Sequence, residues 1–228
     1  MVASQDNRST VTERVDFETF LPCLKDMVRM QLLHNRDVHP SWDTQGYPFY
    51  RAIWTECSEL LDHYGWKWWK HQSTDIDQVK LEIVDIWHFG LSMIVIEERS
   101  IDQVAKEMIA GQACRDHVEF RHAVEALART ALDGSFDVKC FMNTMTATPM
   151  TLNELYGIYK GKHVLNRFRQ ANGYKEGSYQ KMWKGREDNV HLAALVRNLD
   201  AFSEEFQSVL NQALTETYIE SGENPETP

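Results

Sequence analysis

Hydrophobic positions recur along almost the whole chain with the three-to-four-residue spacing of amphipathic helices. Alternating β-branched runs between turn residues, which would predict strands, are nearly absent. The main predicted helices lie at about 17–35, 49–63, 76–98, 151–170 and 188–218, and further helices, broken near Asp133-Gly134, lie within 116–148. This pattern predicts an all-α, multi-helix bundle.

Local signals agree with these boundaries. The segment 39–48 contains two prolines and a glycine, which predict a loop, and the polar segment 71–75 offers N-cap residues for the next helix. Thr151 and Glu154 match a capping box at the start of another helix. We see no internal repeat and no linker, so we expect a single domain over residues 1-228, with flexible tails at 1-15 and 219-228.

Charge and cysteine usage narrow the functional class. The formal net charge of −10 argues against a general nucleic-acid binder. The four cysteines include no C-x-x-C pair, which predicts reduced thiols without a metal or disulfide role. The longest uncharged apolar stretch, residues 86–96, is far shorter than the roughly 20 residues of a membrane-spanning helix, and no signal peptide is visible. We therefore expect a soluble cytoplasmic protein with no nucleic-acid or membrane partner.

Acidic residues occur at helical spacing on two of the predicted helices. Glu56 and Glu59 lie three residues apart on the second helix, and Glu82, Asp85 and His88 share one face of the third. The third helix is apolar nearly all round and should be buried, where clustered carboxylates would repel one another and their pKa values would rise. A divalent cation compensates this repulsion and favours the ionised carboxylates. Mg²⁺ takes oxygen ligands, keeps some waters and adds substrate phosphate oxygens, so the pattern indicates phosphate chemistry.

An isolated E-x-x-E pair usually faces solvent and pairs with lysines. Two acidic pairs, each within an otherwise apolar helix, favour the metal interpretation instead. His88 has three interpretations on this face: a metal ligand, a partner that orients a ligand, or a core histidine with its hydrogen bonds satisfied. We favour the last two.

The segment 160–186 is strongly basic within this acidic protein, because eight Lys and Arg residues are opposed there by Glu176 alone. Lysine and arginine donate hydrogen bonds to phosphate oxygens, and Asn166, Tyr174 and Tyr179 add neutral donors. A solvated basic face is the alternative. Metal-binding carboxylates combined with phosphate donors predict a nucleotide site.

Three stretches carry a family resemblance: ECSELLDHYGWKWWK, LEIVDIWHF and GKHVLNRFRQANGYKEGSYQKMWKGREDN. In this order they resemble the dimeric, all-α dUTPase family, which includes related dCTP-hydrolysing enzymes. The E-x-x-E and E-x-x-D pairs match the signature of the wider all-α nucleotide pyrophosphohydrolases. The resemblance covers roughly residues 24–98 and 151–195, and the part between carries little signal. It implies a homodimer with a four-helix catalytic core.

The resemblance implies a Mg²⁺-dependent hydrolase. Its expected reaction converts dUTP, and also dUDP, to dUMP with release of pyrophosphate or phosphate, limiting uracil incorporation into DNA and supplying dUMP for thymidylate synthesis. Two or more metal ions are expected, with Mn²⁺ as a substitute. By position, Glu56, Glu59, Glu82 and Asp85 would hold the metals. Either Glu59 or Glu56 would orient or deprotonate the attacking water, and the sequence does not choose between them.

The resemblance also assigns a substrate side. Gln31 and Asn35, one turn apart on the first helix, become candidates for contacts to the base edge or sugar, and Trp69 would pack near the uracil. The phosphate-side candidates are Lys162, Asn166, Arg169, Tyr174 and Lys175. His88, Lys181 and Asn189 complete the candidate substrate-binding set.

Three alternatives stay open. The first is a dCTP or other dNTP pyrophosphohydrolase of the same fold, since base choice depends on a few hydrogen-bond partners. The second is a di-iron carboxylate protein, in which Glu119 and His122 would form one E-x-x-H motif and Asp85 with His88 the other. The third is a non-enzymatic helical interaction protein whose acidic pairs are structural.

Overall fold

The computed structural model describes residues 14–113 and 118–221, and within them the regular structure is almost entirely helical. In chain order the elements are α1 Phe17–Val38, a short 3-10 turn Trp42–Thr44, α2 Phe49–Tyr64, α3 Ile76–Ile96, α4 Ile101–Ala113, α5 Phe120–Leu132, α6 Val138–Thr146, α7 Leu152–Ala171, β1 Met182–Trp183, β2 Arg186–Glu187, α8 Asp188–Val196 and α9 Phe206–Glu220. The two short strands pair as one antiparallel hairpin. The predicted all-α fold class is confirmed. Cys114 and most of the two expected tails lie outside the described residues.

Polar side chains begin the helices that carry the predicted site. The Asp75 side chain accepts a hydrogen bond from the Gln78 backbone N–H and begins α3. At the start of α7, Thr151 and Glu154 form the complete capping box, because each side chain accepts from the other residue's backbone N–H. These bonds satisfy donors that a helix N-terminus would otherwise leave unpaired. The predicted starts of α3 and α7 are therefore confirmed.

The predicted final helix over 188–218 is wrong, because the chain leaves helical geometry between α8 and α9. The Asp200 side chain accepts a hydrogen bond from the Phe202 backbone N–H at 2.9 Å. The ammonium group of Lys160, on α7, donates a hydrogen bond to the Ala201 carbonyl at 2.6 Å. Local bonds from Asp to the backbone compete with helix formation, and the lysine fixes the resulting turn against α7.

The helices α2 and α3 bury different fractions of their surface. The apolar side chains of α3 are buried almost all round, as predicted. Within the described residues, no helix is both long enough and apolar enough to cross a bilayer. In α2 one face is buried, through Ile53, Cys57 and Leu60, while Trp54 is exposed. The expectation that both acidic pairs lie within otherwise apolar, buried helices is therefore wrong for α2. Its acidic residues lie toward the exposed side.

The helix α7 contacts α1 and α3 as well as α8 and α9. It therefore joins the large hydrophobic core of the first helices to a smaller one formed by α7, the hairpin, α8 and α9. Gly161 allows α8 to approach closely, since a Cβ atom there would lie 2.6 Å from Val196 Cγ2. At the start of α8, Asp188 accepts from Arg169, and Asn189 accepts from both Lys162 and Arg169.

Candidate active site

The four predicted acids lie on two packed helices, α2 and α3. Glu56 is half-buried, Glu59 is exposed and Glu82 is buried. Carboxylate oxygens of these three residues lie within 4.8 Å of one another. Within residues 14–113 and 118–221, this is the group of acidic, imidazole or thiol side chains close enough to hold a metal ion.

The electrostatics of this cluster fit a divalent cation. Burial raises the pKa of Glu56, and the neighbouring carboxylates of Asp85 and Glu82 raise it further. Burial also raises the pKa of Glu82, and Asp85 adds to that rise. Oxygen ligands that repel one another in a partly buried site are the donor set that Mg²⁺ or Mn²⁺ stabilises. The residues therefore fit the metal that the sequence predicts.

Asp85 forms an ion pair with a lysine, whereas Glu82 has the imidazole of His63 at 3.6 Å. The Oδ2 of Asp85 lies 2.6 Å from the Lys162 ammonium, and Lys162 is 2% exposed. The same ammonium donates to Asn189 Oδ1 at 3.3 Å. Asp85 thus connects the acidic cluster on α2 and α3 to the basic residues of α7 and the start of α8.

A buried ion pair supports this basic side. Arg169 donates from Nε and Nη2 to the two oxygens of Asp188, each at 2.8 Å, and the Tyr179 hydroxyl donates to the same carboxylate at 2.7 Å. Burial alone would raise the pKa of Asp188, but the hydrogen bonds and charge of Arg169 hold it below its usual range. Arg169 also contacts the side-chain oxygens of Asn166 and Asn189, each at 3.3 Å. Arg169 therefore positions these two asparagines.

A second buried group of polar side chains is uncharged. The Gln31 amide nitrogen donates to Asn35 Oδ1 at 2.9 Å, and the Asn35 amide nitrogen donates to Ser92 Oγ at 2.9 Å. The Gln31 amide oxygen accepts from the Tyr159 hydroxyl at 2.8 Å and lies 2.8 Å from His88 Nδ1. We call these five residues the amide network. It holds Gln31 and Asn35 in fixed orientations.

The amide network lies against a cavity of about 400 Å³. Gln31, Asn35 and His88 contribute its buried polar side chains, and Asp85 and Asn166 join it to the acidic and basic residues. Apolar side chains supply most of the remaining wall: Val38, Trp42, Tyr47, Phe49 and Phe89. A flat, partly apolar ligand with hydrogen-bonding edges suits such a lining.

His88 contributes a buried polar atom to this cavity. Its ring stacks on Tyr159, with centroids 4.1 Å apart, and its Nε2 has no hydrogen-bond partner among the described residues. Burial lowers the pKa of His88 well below its usual range, and the nearby His34 lowers it further. The imidazole is therefore neutral at physiological pH. A buried polar atom without a protein partner is costly unless a ligand or water pairs with it.

Four predicted substrate-binding residues lie elsewhere on the surface. Trp69 is 56% exposed and packs edge-on against Trp66, with ring centroids 5.3 Å apart, and it does not line the cavity beside Gln31. Tyr174, Lys175 and Lys181 are exposed on the segment between α7 and the hairpin. The structure thus brings together the cavity-lining residues, the acidic cluster and the buried basic residues of α7. Trp69, Tyr174, Lys175 and Lys181 do not line the cavity.

The structure adds residues that the sequence did not identify. Ser92 lies one turn after His88, and Tyr159 lies one turn before Lys162, so helical spacing alone could have indicated both. The cavity-lining Trp42 lies in the loop that its prolines and glycine marked only as irregular. The sequence assigns no role to Asp188, which lies in the GREDN end of the third family stretch. No sequence signal connects it with Arg169.

The di-iron alternative finds no support in the geometry. Glu119 is exposed and caps α5, where its carboxylate accepts from the His122 backbone N–H at 3.2 Å and pairs with Arg121 at 2.7 Å. Glu119 and His122 are absent from the candidate metal group within the described part of the chain. The E-x-x-H spacing at this position is explained by helix capping.

Comparison with known families agrees with this geometry. The sequence model of the dUTPase family matches residues 23–174, which is more than half of the 228 residues and includes the acidic pairs, the amide network and all of α7. No curated protein sequence matches the chain. The chain belongs to the all-α dUTPase family, and dUTP hydrolysis is the activity that this membership gives it.

Proposed function

We propose that this protein hydrolyses dUTP and dUDP to dUMP in a Mg²⁺-dependent reaction, releasing pyrophosphate or phosphate, in the cytoplasm. The observation that carries the proposal is the position of Asp85, which lines the cavity beside the amide network and also adjoins the acidic cluster. A nucleotide with its base in the cavity would reach the carboxylates with its phosphates. Limiting uracil in DNA is the corresponding cellular role.

The acidic residues would hold the metal ions. Glu56, Glu59, Glu82 and Asp85 offer carboxylate oxygens, and two or more ions, with Mn²⁺ as a substitute, suit so many acids. When bound, the metal neutralises the cluster and stabilises negative charge on the phosphates. Glu59 or Glu56 would orient the attacking water and accept its proton, since both lie at the edge of the cluster nearer to solvent.

The basic residues would hold the phosphates. Lys162 is the nearest cation to the acids, and Arg169 keeps Asn166 and Asn189 in place beside it. Exposed side chains of the following segment could close over the phosphate chain: Tyr174, Lys175 and Lys181. Gln31, Asn35 and His88 would contact the base or sugar, and Trp69 would have to approach from its exposed loop or from a second subunit.

A substrate panel tests the proposal. Purified protein with Mg²⁺ should turn over dUTP and dUDP with a higher kcat/KM than dCTP or dTTP, and chelation of the metal should abolish turnover. The same panel tests the alternative within the fold. If dCTP is the best substrate, the protein is a dCTP pyrophosphohydrolase instead.

The homodimer is proposed on the family resemblance. Exposed tryptophans offer apolar surface for such an interface, and Trp68 is 90% exposed. Light scattering at working concentration should give the mass of two 26.6 kDa chains. A monomer at that concentration would remove this part of the proposal while leaving the hydrolytic activity intact.

A further inference from the structure

We propose that His63 is a positioning residue: its imidazole Nε2 donates a hydrogen bond to one carboxylate oxygen of Glu82 and so directs the other oxygen toward the metal. This role rests on the proposed function, because it requires a divalent cation bound by the acidic cluster. The family resemblance assigns no role to His63. Three features carry the proposal: the spacing of His63 along α2, the hydrogen bonds of its backbone and the surroundings of Glu82.

The spacing of His63 places it on the acidic face of α2. Glu59 precedes it by four residues and Glu56 by seven, and both separations bring side chains to the same side of a helix. His63 lies in the last turn of α2, and its Nε2 lies 3.6 Å from Glu82 Oε1 on α3. The acidic face of α2 therefore ends in an imidazole that reaches the third acid of the cluster.

Hydrogen bonds tie the backbone of His63 to the start of α3. The His63 carbonyl accepts from the Asp75 backbone N–H at 2.9 Å, and the Asp75 side chain begins α3. The neighbouring Tyr64 carbonyl accepts from the Thr74 hydroxyl at 2.8 Å. The backbone that carries the imidazole is thus fixed against the helix that carries Glu82.

Glu82 is the most buried of the three clustered acids, so its orientation depends on its protein neighbours. Among residues 14–113 and 118–221, His63 Nε2 is the basic nitrogen at ion-pair distance from the Glu82 carboxylate. Lys162, the other nearby cation, pairs with Asp85 instead. Carboxylates that bind metals are themselves hydrogen-bonded to residues outside the coordination sphere, and His63 is the residue placed to do this for Glu82.

The contact suits an orienting hydrogen bond. Its length is slightly greater than that of a hydrogen bond, and contacts of this kind shorten when a catalytic site binds its ligands. A neutral imidazole with its proton on Nε2 and an imidazolium both donate from this atom, so the role does not depend on the charge of His63. Loss of such a partner lowers metal affinity by about 10- to 100-fold.

Three variants test this role through the binding of Mn²⁺, measured from the EPR signal of the free ion. His63→Ala should lower the Mn²⁺ affinity by about 10-fold, because Glu82 loses its donor. His63→Gln should stay within about 3-fold of wild type, since its amide nitrogen can occupy the position of Nε2. His71→Ala, which removes an exposed histidine from the loop after α2, should bind Mn²⁺ as tightly as wild type.

The glutamine variant distinguishes positioning from direct metal ligation. Equal losses of affinity in His63→Ala and His63→Gln would refute the proposal, because an amide donor would then not replace the imidazole. Electron spin-echo envelope modulation of the Mn²⁺-loaded wild-type protein provides a check that needs no variant. We expect no nitrogen bound directly to the ion, and a coordinated nitrogen that disappears in His63→Ala would make His63 a ligand instead and overturn its positioning role.

Mg²⁺-dependent kinetics separate this proposal from the proposed function. In His63→Ala the Mg²⁺ concentration for half-maximal rate should rise about 10-fold, while kcat at saturating Mg²⁺ should approach that of wild type. If the wild-type protein binds no Mn²⁺ and hydrolyses no dUTP, the proposed function fails and the role of His63 fails with it. If the wild-type protein does both and His63→Ala equals it in metal affinity, only the role of His63 is overturned.

Discussion

Two groups of polar side chains lie near Asp85, and each satisfies its buried hydrogen-bonding atoms in a different way. The amide network is uncharged and pairs its donors with acceptors from α1, α3 and α7. The ionic group on α7 and α8 pairs the positive guanidinium of Arg169 with the negative carboxylate of Asp188. Both groups are buried, so the difference between them is charge alone.

That difference predicts what each group can do. An uncharged network keeps its orientation in any salt concentration and can present a specific donor or acceptor to a ligand. A buried ion pair holds its members firmly, but removing one partner leaves a charge without compensation. The amide network therefore suits recognition of a base. The ionic group suits the support of residues that bind phosphate.

The acidic cluster should show the largest effect, because its charges serve the reaction more than the fold. We expect Glu59→Gln to lower kcat by at least about 10³-fold, since it removes a candidate general base and metal ligand. The free energy of unfolding should not fall, because Glu59 is exposed and its removal relieves repulsion. Steady-state kinetics and denaturant unfolding measure the two quantities.

Asp62→Asn is the matched control for Glu59→Gln. Asp62 lies on the same helix and is exposed, but it pairs with Trp66 and Lys67 instead of the cluster. Its kcat should change less than about 2-fold. Equal activity in Glu59→Gln and wild type would mean that Glu59 does not act in the reaction and that the acidic pairs are structural.

The ionic group should show the largest effect on stability. Arg169→Met leaves the fully buried Asp188 with the Tyr179 hydroxyl and the Asn189 backbone N–H but without a positive partner, and the free energy of unfolding should fall by about 3–5 kcal/mol. The double variant Arg169→Met/Asp188→Leu should recover most of that loss, because it removes the unpaired charge. Denaturant unfolding provides the measurement.

A surface pair supplies the comparison for that experiment. Lys184 and Glu220 form an ion pair 2.7 Å apart, with both side chains largely in solvent. Lys184→Met should change the free energy of unfolding by less than about 1 kcal/mol. A double variant no more stable than Arg169→Met would mean that unpaired charge is not the cause of the loss.

The amide network should show an intermediate effect on stability that does not depend on salt. Gln31→Leu removes the partners of Asn35 Oδ1 and His88 Nδ1 and one of the two acceptors of the Tyr159 hydroxyl, and the free energy of unfolding should fall by about 2–3 kcal/mol. The loss should be the same in low and high salt, whereas charged pairs are screened. Gln212→Leu, at an exposed helix position, should change stability by at most about 0.5 kcal/mol.

Features set by neighbouring residues were predictable from the sequence. The capping box of Thr151 and the acidic pairs depend on spacings of three residues, which a helix converts directly into proximity. The break before α9 was not predictable, because Lys160 stabilises it from a distant helix. The pairing of Arg169 with Asp188 depends likewise on how α7 packs against α8.

The hydrogen bonds of His88 illustrate the same limit within the site. The sequence places His88 on the face of Asp85, but it does not show that Gln31, on α1, presents its amide oxygen to Nδ1. Its interpretation as a core histidine is half correct, since one nitrogen is satisfied and the other is not. Only packed coordinates distinguish these two nitrogens.

The smallest effect is expected at a buried histidine that belongs to neither group. His163 follows Lys162 on α7, and its buried ring contacts the edge of His34, with centroids 6.1 Å apart. Burial lowers the pKa of His163 from 6.5 to about 4, with His34 and Arg167 adding to the shift. A histidine with a lowered folded-state pKa stabilises the fold above its unfolded value, and this contribution is lost as the pH falls through the folded value.

The free energy of unfolding should therefore fall by about 2 kcal/mol as the pH falls from 6.5 toward 4 on account of this residue. His163→Gln should remove that part of the acid sensitivity, because glutamine does not titrate, while the exposed control His71→Gln should retain it. Urea unfolding at several pH values measures the slope. An equal slope in His163→Gln and wild type would show that His163 is protonated as readily in the folded protein as in the unfolded chain.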